Sequence, residues 1–267
     1  KRIHVLEDEL QTRIIVRTKN GIEFTSTGEF LYQYAVEMTA RFQELKDSLH
    51  EMQDTRYVLR IGVTPAFSQF VLPNVLKNFS LLNTNVYPIV RSGYSCYIFE
   101  WLKTGEIQLG FLRNDCSIEG YENYCIGSIP LCLISKNAIE IHDLPMSLRI
   151  AYDTDPSLLR QIDYWEKNIF GQANKLKVGM HVSDGQTCIR MVSQGMGYAI
   201  VPYYFLSHQA IESLWINLLK DNSGHTIMRS TYFIYNQHEY LTSKPINLFI
   251  NFIKEYFPSY SNWNNTF

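Results

Sequence analysis

Three short stretches carry residue types able to hold a small anion. They are Thr64-Pro65-Ala66-Phe67-Ser68, Arg91-Ser92-Gly93 and Ser183-Asp184-Gly185-Gln186-Thr187. Each combines small side chains, hydroxyls and free backbone N–H groups, the materials of an anion cradle. The same residues also serve as ordinary helix caps, so one stretch alone decides nothing; three together favour a binding cleft. The candidate ligand contacts are Thr64, Ala66, Phe67, Ser92, Gly93, Gly185 and Thr187. Arg91, Arg113 and Arg149 are the candidate charge partners.

A second chemistry is contact with phosphates. Lys1, Arg2, Arg13, Arg17 and Lys19 crowd the first twenty residues, beside Glu7, Asp8 and Glu9. Three of these cations lie on or beside a hairpin, where they could meet a nucleic-acid backbone or a minor groove. An ordinary solvated hairpin reads equally well from these residues alone.

Reaction chemistry is missing. The sequence has no GxGxxG or GxxxxGK[ST] loop, no GxSxG elbow and no HExxH pair. The seven His are scattered without metal-ligand spacing, and Gly195-Met196-Gly197 reads as a helix-to-strand turn. Asp153 and Asp155 flank a turn before Pro156, where capping explains them better than acid–base work. No catalytic residue, metal site or cofactor is expected, and the chain does not read as an enzyme.

These groups need elements to position them. Ile3, Leu6 and Leu10 mark a first helix, already under way at Lys1 without an initiating Met, which suggests a missing N-terminal segment. Arg13–Thr18 and Ile22–Thr25 flank an Asn20-Gly21 turn, the strongest short hairpin signal. A long helix runs from about Thr27 to Gln53, with Ser26 and Glu29 as its capping box. Leu31, Ala35, Met38, Phe42, Leu45, Leu49 and Met52 are spaced alternately by four and three. So narrow a seam asks for a second copy of the helix. Asp54-Thr55-Arg56 reads as a polar linker.

Strands and helices then alternate. Strands at 58–64, 85–90 and 107–112, with helices at 70–82 and 94–103, predict a parallel βαβαβ unit. A second unit follows the polar stretch near Asn114. It has strands near 125–135, 148–152, 176–182 and 198–201, and helices near 156–170 and 186–194. Strands near 215–218 and 228–235 and a final helix after Thr242 complete the body, and the tail from 259 reads as frayed. In open parallel sheets ligands bind beyond the carboxyl ends of strands, which is where the three stretches fall.

Composition sets the outer limits. The chain has 267 residues, 46% hydrophobic and 19% charged, with a formal charge of −2, ordinary for a folded protein. That balance excludes a protein basic throughout and leaves room for a small basic head. No apolar run of about 20 residues is present, so no membrane span is expected. The five cysteines lack CxxC pairing and read as reduced cytoplasmic thiols; a peroxide-sensing Cys116–Cys125 pair is the less favoured alternative.

The sequence resembles the LysR-type transcriptional regulators. The resemblance rests on Leu6-Glu7-Asp8-Glu9-Leu10, Arg17-Thr18, Gly21 and Thr25-Ser26-Thr27-Gly28 at the front. In the body it rests on Leu59-Arg60-Ile61-Gly62, Leu72-Pro73, Gly105–Gly110 and Met191-Val192 with Gly195–Pro202. Gln108 stands where the family typically has Asp, and Ile15 where it has Phe. The resemblance implies an α/β protein with the remnant of a winged helix-turn-helix at 1–25 and a dimerising linker helix at 26–56. A two-lobed, periplasmic-binding-protein-like effector domain at 57–267 follows, with lobe I at 57–114 plus 210–267 and lobe II at 115–209. It implies a homodimer or homotetramer that binds promoter DNA through Lys1, Arg2, Arg17 and Lys19. A small-molecule effector would then alter DNA bending or contact with RNA polymerase. Ser183–Cys188 with Ile162 and Trp165 is similar to the citrate-responsive branch. A solute-binding protein serving a transporter is the competing reading, but it has no use for a hairpin and a heptad helix.

Overall fold

The computed structural model describes residues 2–19, 21–53, 57–113, 119–172 and 175–258, with side chains for all of these except 40, 43, 44, 47, 48 and 50–53. Lys1, Cys116, the linker 54–56 and the tail from 259 lie outside the described residues.

The chain opens with α1 (Arg2–Leu10), a hairpin of β1 (Ile15–Thr18) and β2 (Gly21–Phe24), and the long α2 (Ser26–Gln53). Two details differ from the sequence expectation. Thr18 pairs with Gly21, so Gly21 opens the second strand instead of sitting at the centre of the turn; its φ of +129 suits glycine. Thr25, rather than Ser26, caps α2: its hydroxyl accepts from Gly28 N at 2.9 Å and donates to Arg13 O at 2.6 Å. A Cβ on Gly28 would stand 1.9 Å from Ile14 O, so only glycine lets helix and hairpin meet. Glu7 ties α1 to the same hairpin, accepting from Ile14 N and Ile15 N at 2.7 and 3.2 Å. Those backbone bonds hold its carboxyl below the usual range. On α2, Met38, Phe42, Leu45 and Leu49 remain 58, 57, 52 and 48% exposed, so the seam is uncovered in the single chain.

The body contains β3 (Tyr57–Val63), α3 (Pro65–Phe70), α4 (Leu72–Leu82), β4 (Val86–Ser92), α5 (Ser95–Lys103) and β5 (Leu109–Leu112). After β6 (Tyr121–Ser135) come β7 (Arg149–Tyr152), α6 (Pro156–Phe170), β8 (Val178–Val182), α7 (Gly185–Ser193) and β9 (Tyr198–Pro202). The chain finishes with α8 (His208–Ser213), β10 (Trp215–Leu218), β11 (Met228–Asn236), α9 (Gln237–Thr242) and α10 (Lys244–Tyr256). The helix expected at 70–82 is α4, while the stretch 64–68, read as a loop, caps and begins the short α3; Pro65 and Pro73 sit in their first turns.

The body's sheet is mixed, not parallel throughout. Its order is β4-β3-β5-β11-β6-β9-β7-β8, with β10 added to β6. The expected parallel pairs are present, β3 with β4 and β5, and β7 with β8 and β9. Between them β11 runs antiparallel to β5 and β6, and β6 runs antiparallel to β9. A parallel neighbour needs a crossover of about a dozen residues or more, and only the eight residues 113–120 separate β5 from β6. The long β6 therefore enters beside the returning β11, and the two stitch the halves together.

Two large hydrophobic clusters mark the lobes. One gathers Leu59, Val63, Phe67, Phe79, Phe111, Ile126, Ile129 and Phe249. The other gathers Leu131, Ile134, Trp165, Val192, Tyr198, Leu214 and Leu219. The boundaries at 115 and 210 need correction: Ile126 and Ile129 pack with lobe I, while α8 and β10 pack with lobe II. The reason is that β10 pairs with the second half of β6, at Cys132–Ser135. Cys132 and Cys188 are buried in lobe II, and burial pushes both thiols up to about 12, so they act as small hydrophobes. No described helix is long and apolar enough to cross a membrane.

Arg149, a candidate ligand contact, instead lies inside lobe II. Its side chain is 9% exposed and donates at 3.0 Å to Glu166, which is 1% exposed. Desolvation pushes the Glu166 carboxyl up, opposed by Leu176 N and by Arg149. Removing one member of a buried pair strands the other charge, at a cost of about 3–5 kcal/mol. Arg149→Ala should therefore lose about that much stability in denaturant unfolding. The double substitution Arg149→Met with Glu166→Leu should lose much less.

Candidate functional site

A cleft of about 250 Å³ opens where the two lobes face each other. Its walls come from the carboxyl ends of strands, as open-sheet geometry requires. Thr64, Pro65 and Ala66 follow β3, Arg113 follows β5, and Tyr152 to Asp155 end β7 and lead into α6. Ser183, Asp184 and Gly185 join β8 to α7, and Tyr204 and Phe205 follow β9. Arg229 reaches in from β11.

Asp155 is the hub of the floor. Its carboxylate accepts from Ser157 N and Oγ at 2.9 and 2.6 Å, capping α6 in lobe II. It also accepts from Ser95 N and Oγ at 3.2 and 2.9 Å, at the start of α5 in lobe I. Burial pushes this carboxyl up, but the four hydrogen bonds outweigh burial and leave it below the usual range. Ser95 Oγ in turn accepts from Arg113 N at 3.2 Å.

Two buried arginines stand above Asp155. Arg113, 7% exposed, donates to Thr231 and to the Tyr204 hydroxyl and lies over the Tyr204 ring. Among the described residues no carboxylate lies within ion-pair distance of Arg113. Arg229, 4% exposed, donates to Gln161 Oε1 at 2.9 Å and Ser157 Oγ at 3.0 Å, and lies 3.9 Å from Asp155. Desolvation, together with the neighbouring Arg113, brings Arg229 down to about 10. The hydroxyls of Thr64, in lobe I, and of Tyr152, in lobe II, are buried without a hydrogen-bond partner. The cleft thus offers two cationic forks, two unused hydroxyls and apolar surface from Ala66, Leu158 and Phe205. That set suits a small organic anion.

The structure brings some expected residues together and separates others. Thr64, Ala66 and Gly185 line the cleft. Phe67 does not; it is fully buried and stacked on Phe111 at 4.5 Å, because α3 turns that position into the lobe I core. Arg149 does not either, because it begins β7 while the cleft lies at that strand's far end, at Tyr152. Ser92 and Gly93 line a shallower recess against Trp101, where a Cβ on Gly93 would stand 2.5 Å from the ring. Arg91 stacks on that ring and pairs with Glu106, so it too is taken. Thr187 donates its hydroxyl to Asp184 at 2.7 Å and its N–H at 2.9 Å, within the cap of α7. At the head, Arg2, Arg17 and Lys19 are exposed.

Arg229, Tyr152 and Tyr204 are cleft residues that sequence reasoning missed. Arg229 sits on an antiparallel strand, outside a search confined to parallel strand ends. Its one signal was a cation inside an otherwise strand-like run, Met228–Tyr235. Asp155 was read as a cap, which it is, but its second helix was out of sight.

Residues 52–258 match the family described as the LysR substrate binding domain. The chain is 33% identical over 254 residues to YraN of Bacillus subtilis, an HTH-type transcriptional regulator, covering 95% of this chain and 86% of that one. CitR of the same organism is 21% identical over 234 residues, covering 81% and 77%, and so gives the citrate-responsive branch no special standing. Full-length BenM has a similar fold, with a TM-score of 0.60 at 19% identity over 96% of this chain and 85% of that one. The BenM effector binding domain with its effector benzoate gives 0.59 at 18% identity over 74% and 91%.

The Asp155 cap supplies a pH test. A carboxyl held below its unfolded value stabilises the fold above that value and ceases to do so as pH falls through the folded one. Asp155→Asn should cost about 1.5–3 kcal/mol near neutral pH, the range for hydrogen bonds to a charged group. The deficit should shrink in acid. Urea unfolding of both proteins at about pH 7 and about pH 3 measures the difference.

Proposed function

This chain belongs to the LysR family of transcriptional regulators, and we propose that its cleft takes a small organic anion that governs DNA binding. Its relatives are regulators and not enzymes. The observation that carries the ligand reading is the pairing of two buried arginines with the unpartnered hydroxyls of Thr64 and Tyr152 in one cavity. Buried polar groups left unpaired are costly, and a carboxylate between the arginines relieves both the unpaired donors and their mutual repulsion. The effector named for BenM, benzoate, is an anion of this size and supports the reading.

In this account residues 1–25 contact promoter DNA, with Lys1, Arg2, Arg17 and Lys19 as the basic contacts. Residues 26–56 pair with a second copy along the uncovered seam, in a homodimer or homotetramer. Residues 57–267 bind the effector, which alters DNA bending or the approach of RNA polymerase. The protein works in the cytoplasm, where promoters are. The effector acts by binding one arrangement of the lobes more tightly than another; a tenfold preference shifts the balance by about 1.4 kcal/mol. The solute-binding alternative gains no support, since the relatives carry a DNA-binding function and this chain keeps the hairpin and stalk.

Thr64→Val replaces the hydroxyl at nearly constant volume. In a thermal-shift series of small carboxylates with benzoate and citrate among them, at least one should stabilise the native protein, and Thr64→Val should weaken its binding about tenfold. Promoter binding by the unliganded variant should be unchanged. Stabilisation by none of the acids would sink the cleft reading. Separately, promoter affinity should fall steeply with salt, and Arg17→Ala or Lys19→Ala should each flatten the slope by about one unit in log–log form. Gel-shift titrations at several salt concentrations read this out, and an unchanged slope would remove those residues from the DNA interface.

A further inference from the structure

A second recess of about 490 Å³ lies beside the cleft and shares Arg113 and Arg229 with it. One wall is a face of α6, where Ser157, Arg160, Gln161 and Tyr164 follow the i, i+3, i+4, i+7 rule, and Thr226 to Met228 form another. The opposite face of that helix, Leu158, Ile162 and Trp165, is buried in lobe II and fixes which way the polar face looks.

The charges in this recess are one-sided. Arg113, Arg160 and Arg229 line it, and among the described residues no carboxylate does. The chain as a whole carries −2, so three cations gathered in one place are against its average. Asp155 lies 3.9 Å from Arg229, and its oxygens already accept from Ser95 and Ser157. Ser157 and Gln161 are taken up in holding Arg229 in place. Among the described residues Arg160 and Tyr164 make no hydrogen bond, and both are exposed at the rim. Two nine-tenths-buried guanidiniums, held by Ser157, Gln161, Thr231 and Tyr204, and one exposed guanidinium line a single recess, a cation set suited to a doubly charged oxyanion.

We propose that this recess is a phosphate site, adjoining the cleft through the shared Arg113 and Arg229 and completed by Arg160. A carboxylate brings one negative charge in a plane. A phosphate group carries between −1.5 and −2 near neutral pH and spreads three or four acceptor oxygens over a tetrahedron, matching three cations that approach from α6, β11 and the end of β5. Free phosphate and a phosphate ester share this chemistry. The burial of Arg113 and Arg229 supports the assignment, since two such charges so close repel each other until an anion neutralises them.

The test uses the whole protein and two probes, inorganic phosphate and glycerol phosphate, against chloride at matched ionic strength. Calorimetric titration should show binding of phosphate and none of chloride. Arg160→Ala should weaken phosphate binding at least tenfold, Arg160→Lys should restore part of it, and neither should alter the melting temperature without phosphate, because Arg160 is exposed. Thr64→Val, which touches only the cleft, should leave phosphate binding as it is. Tighter binding of glycerol phosphate identifies an ester as the ligand, and tighter binding of inorganic phosphate identifies the free anion. Phosphate binding no better than chloride, or unaffected by Arg160→Ala, would overturn the proposal. Loss through Thr64→Val with Arg160→Ala silent would place the anion in the cleft instead and overturn it as well.

Discussion

The arrangement of the body depends on one carboxylate shared between two helices. Asp155 caps α6 of lobe II and also receives the first N–H and hydroxyl of α5 in lobe I. Helix N-termini carry unsatisfied donors and partial positive charge, so one anion can serve both ends. The result is a polar latch between lobes at the base of the cleft. It holds Ser95 and Ser157, and those hydroxyls in turn accept from Arg113 N and Arg229. The cations that line the cleft are thus positioned by the same group that joins the lobes. A ligand of the proposed kind, drawing on Arg113 or Arg229, would act on the latch as well.

The rest of the architecture keeps that latch in register. Two parallel βαβ halves present their strand ends to a common gap, while β6 and β11 run through both lobes. Each lobe has its own aromatic-rich core, so each is a packed unit, and the two crossing strands carry the connection. Upstream, Glu7 and Thr25 weld helix, hairpin and stalk through side-chain contacts to backbone. Arg2, Arg17 and Lys19 lie exposed on the piece so joined.

Charge is distributed by use. The chain is nearly neutral, yet cations are concentrated at the hairpin and around the interlobe gap, and one buried pair, Arg149 with Glu166, is spent on lobe II alone. Buried ion pairs of that kind contribute little net stability but are costly to break. Arg149 and Arg113 read alike in sequence, since each borders a strand. Arg149 begins its strand and Arg113 follows one, and in a parallel sheet that difference separates the core from the ligand side.

Local spacing determined most of the elements. The four–three rhythm from Leu31 to Met52 specifies α2, the Lys19-Asn20-Gly21 stretch between two strand-like runs marks the hairpin, and alternating strand and helix periods specify the two lobes; each pattern rests on neighbours within one or two turns. Strand-end reasoning likewise found Thr64, Ala66 and Gly185, because the end of a strand is a local property. Only the tertiary structure decided the rest. The inward turn of Phe67, the antiparallel entry of β11 carrying Arg229, and the meeting of Asp155 with Ser95 depend on pairings across tens of residues. Chain order does not encode those juxtapositions in any local pattern; they arise when two cores and a shared sheet pack together.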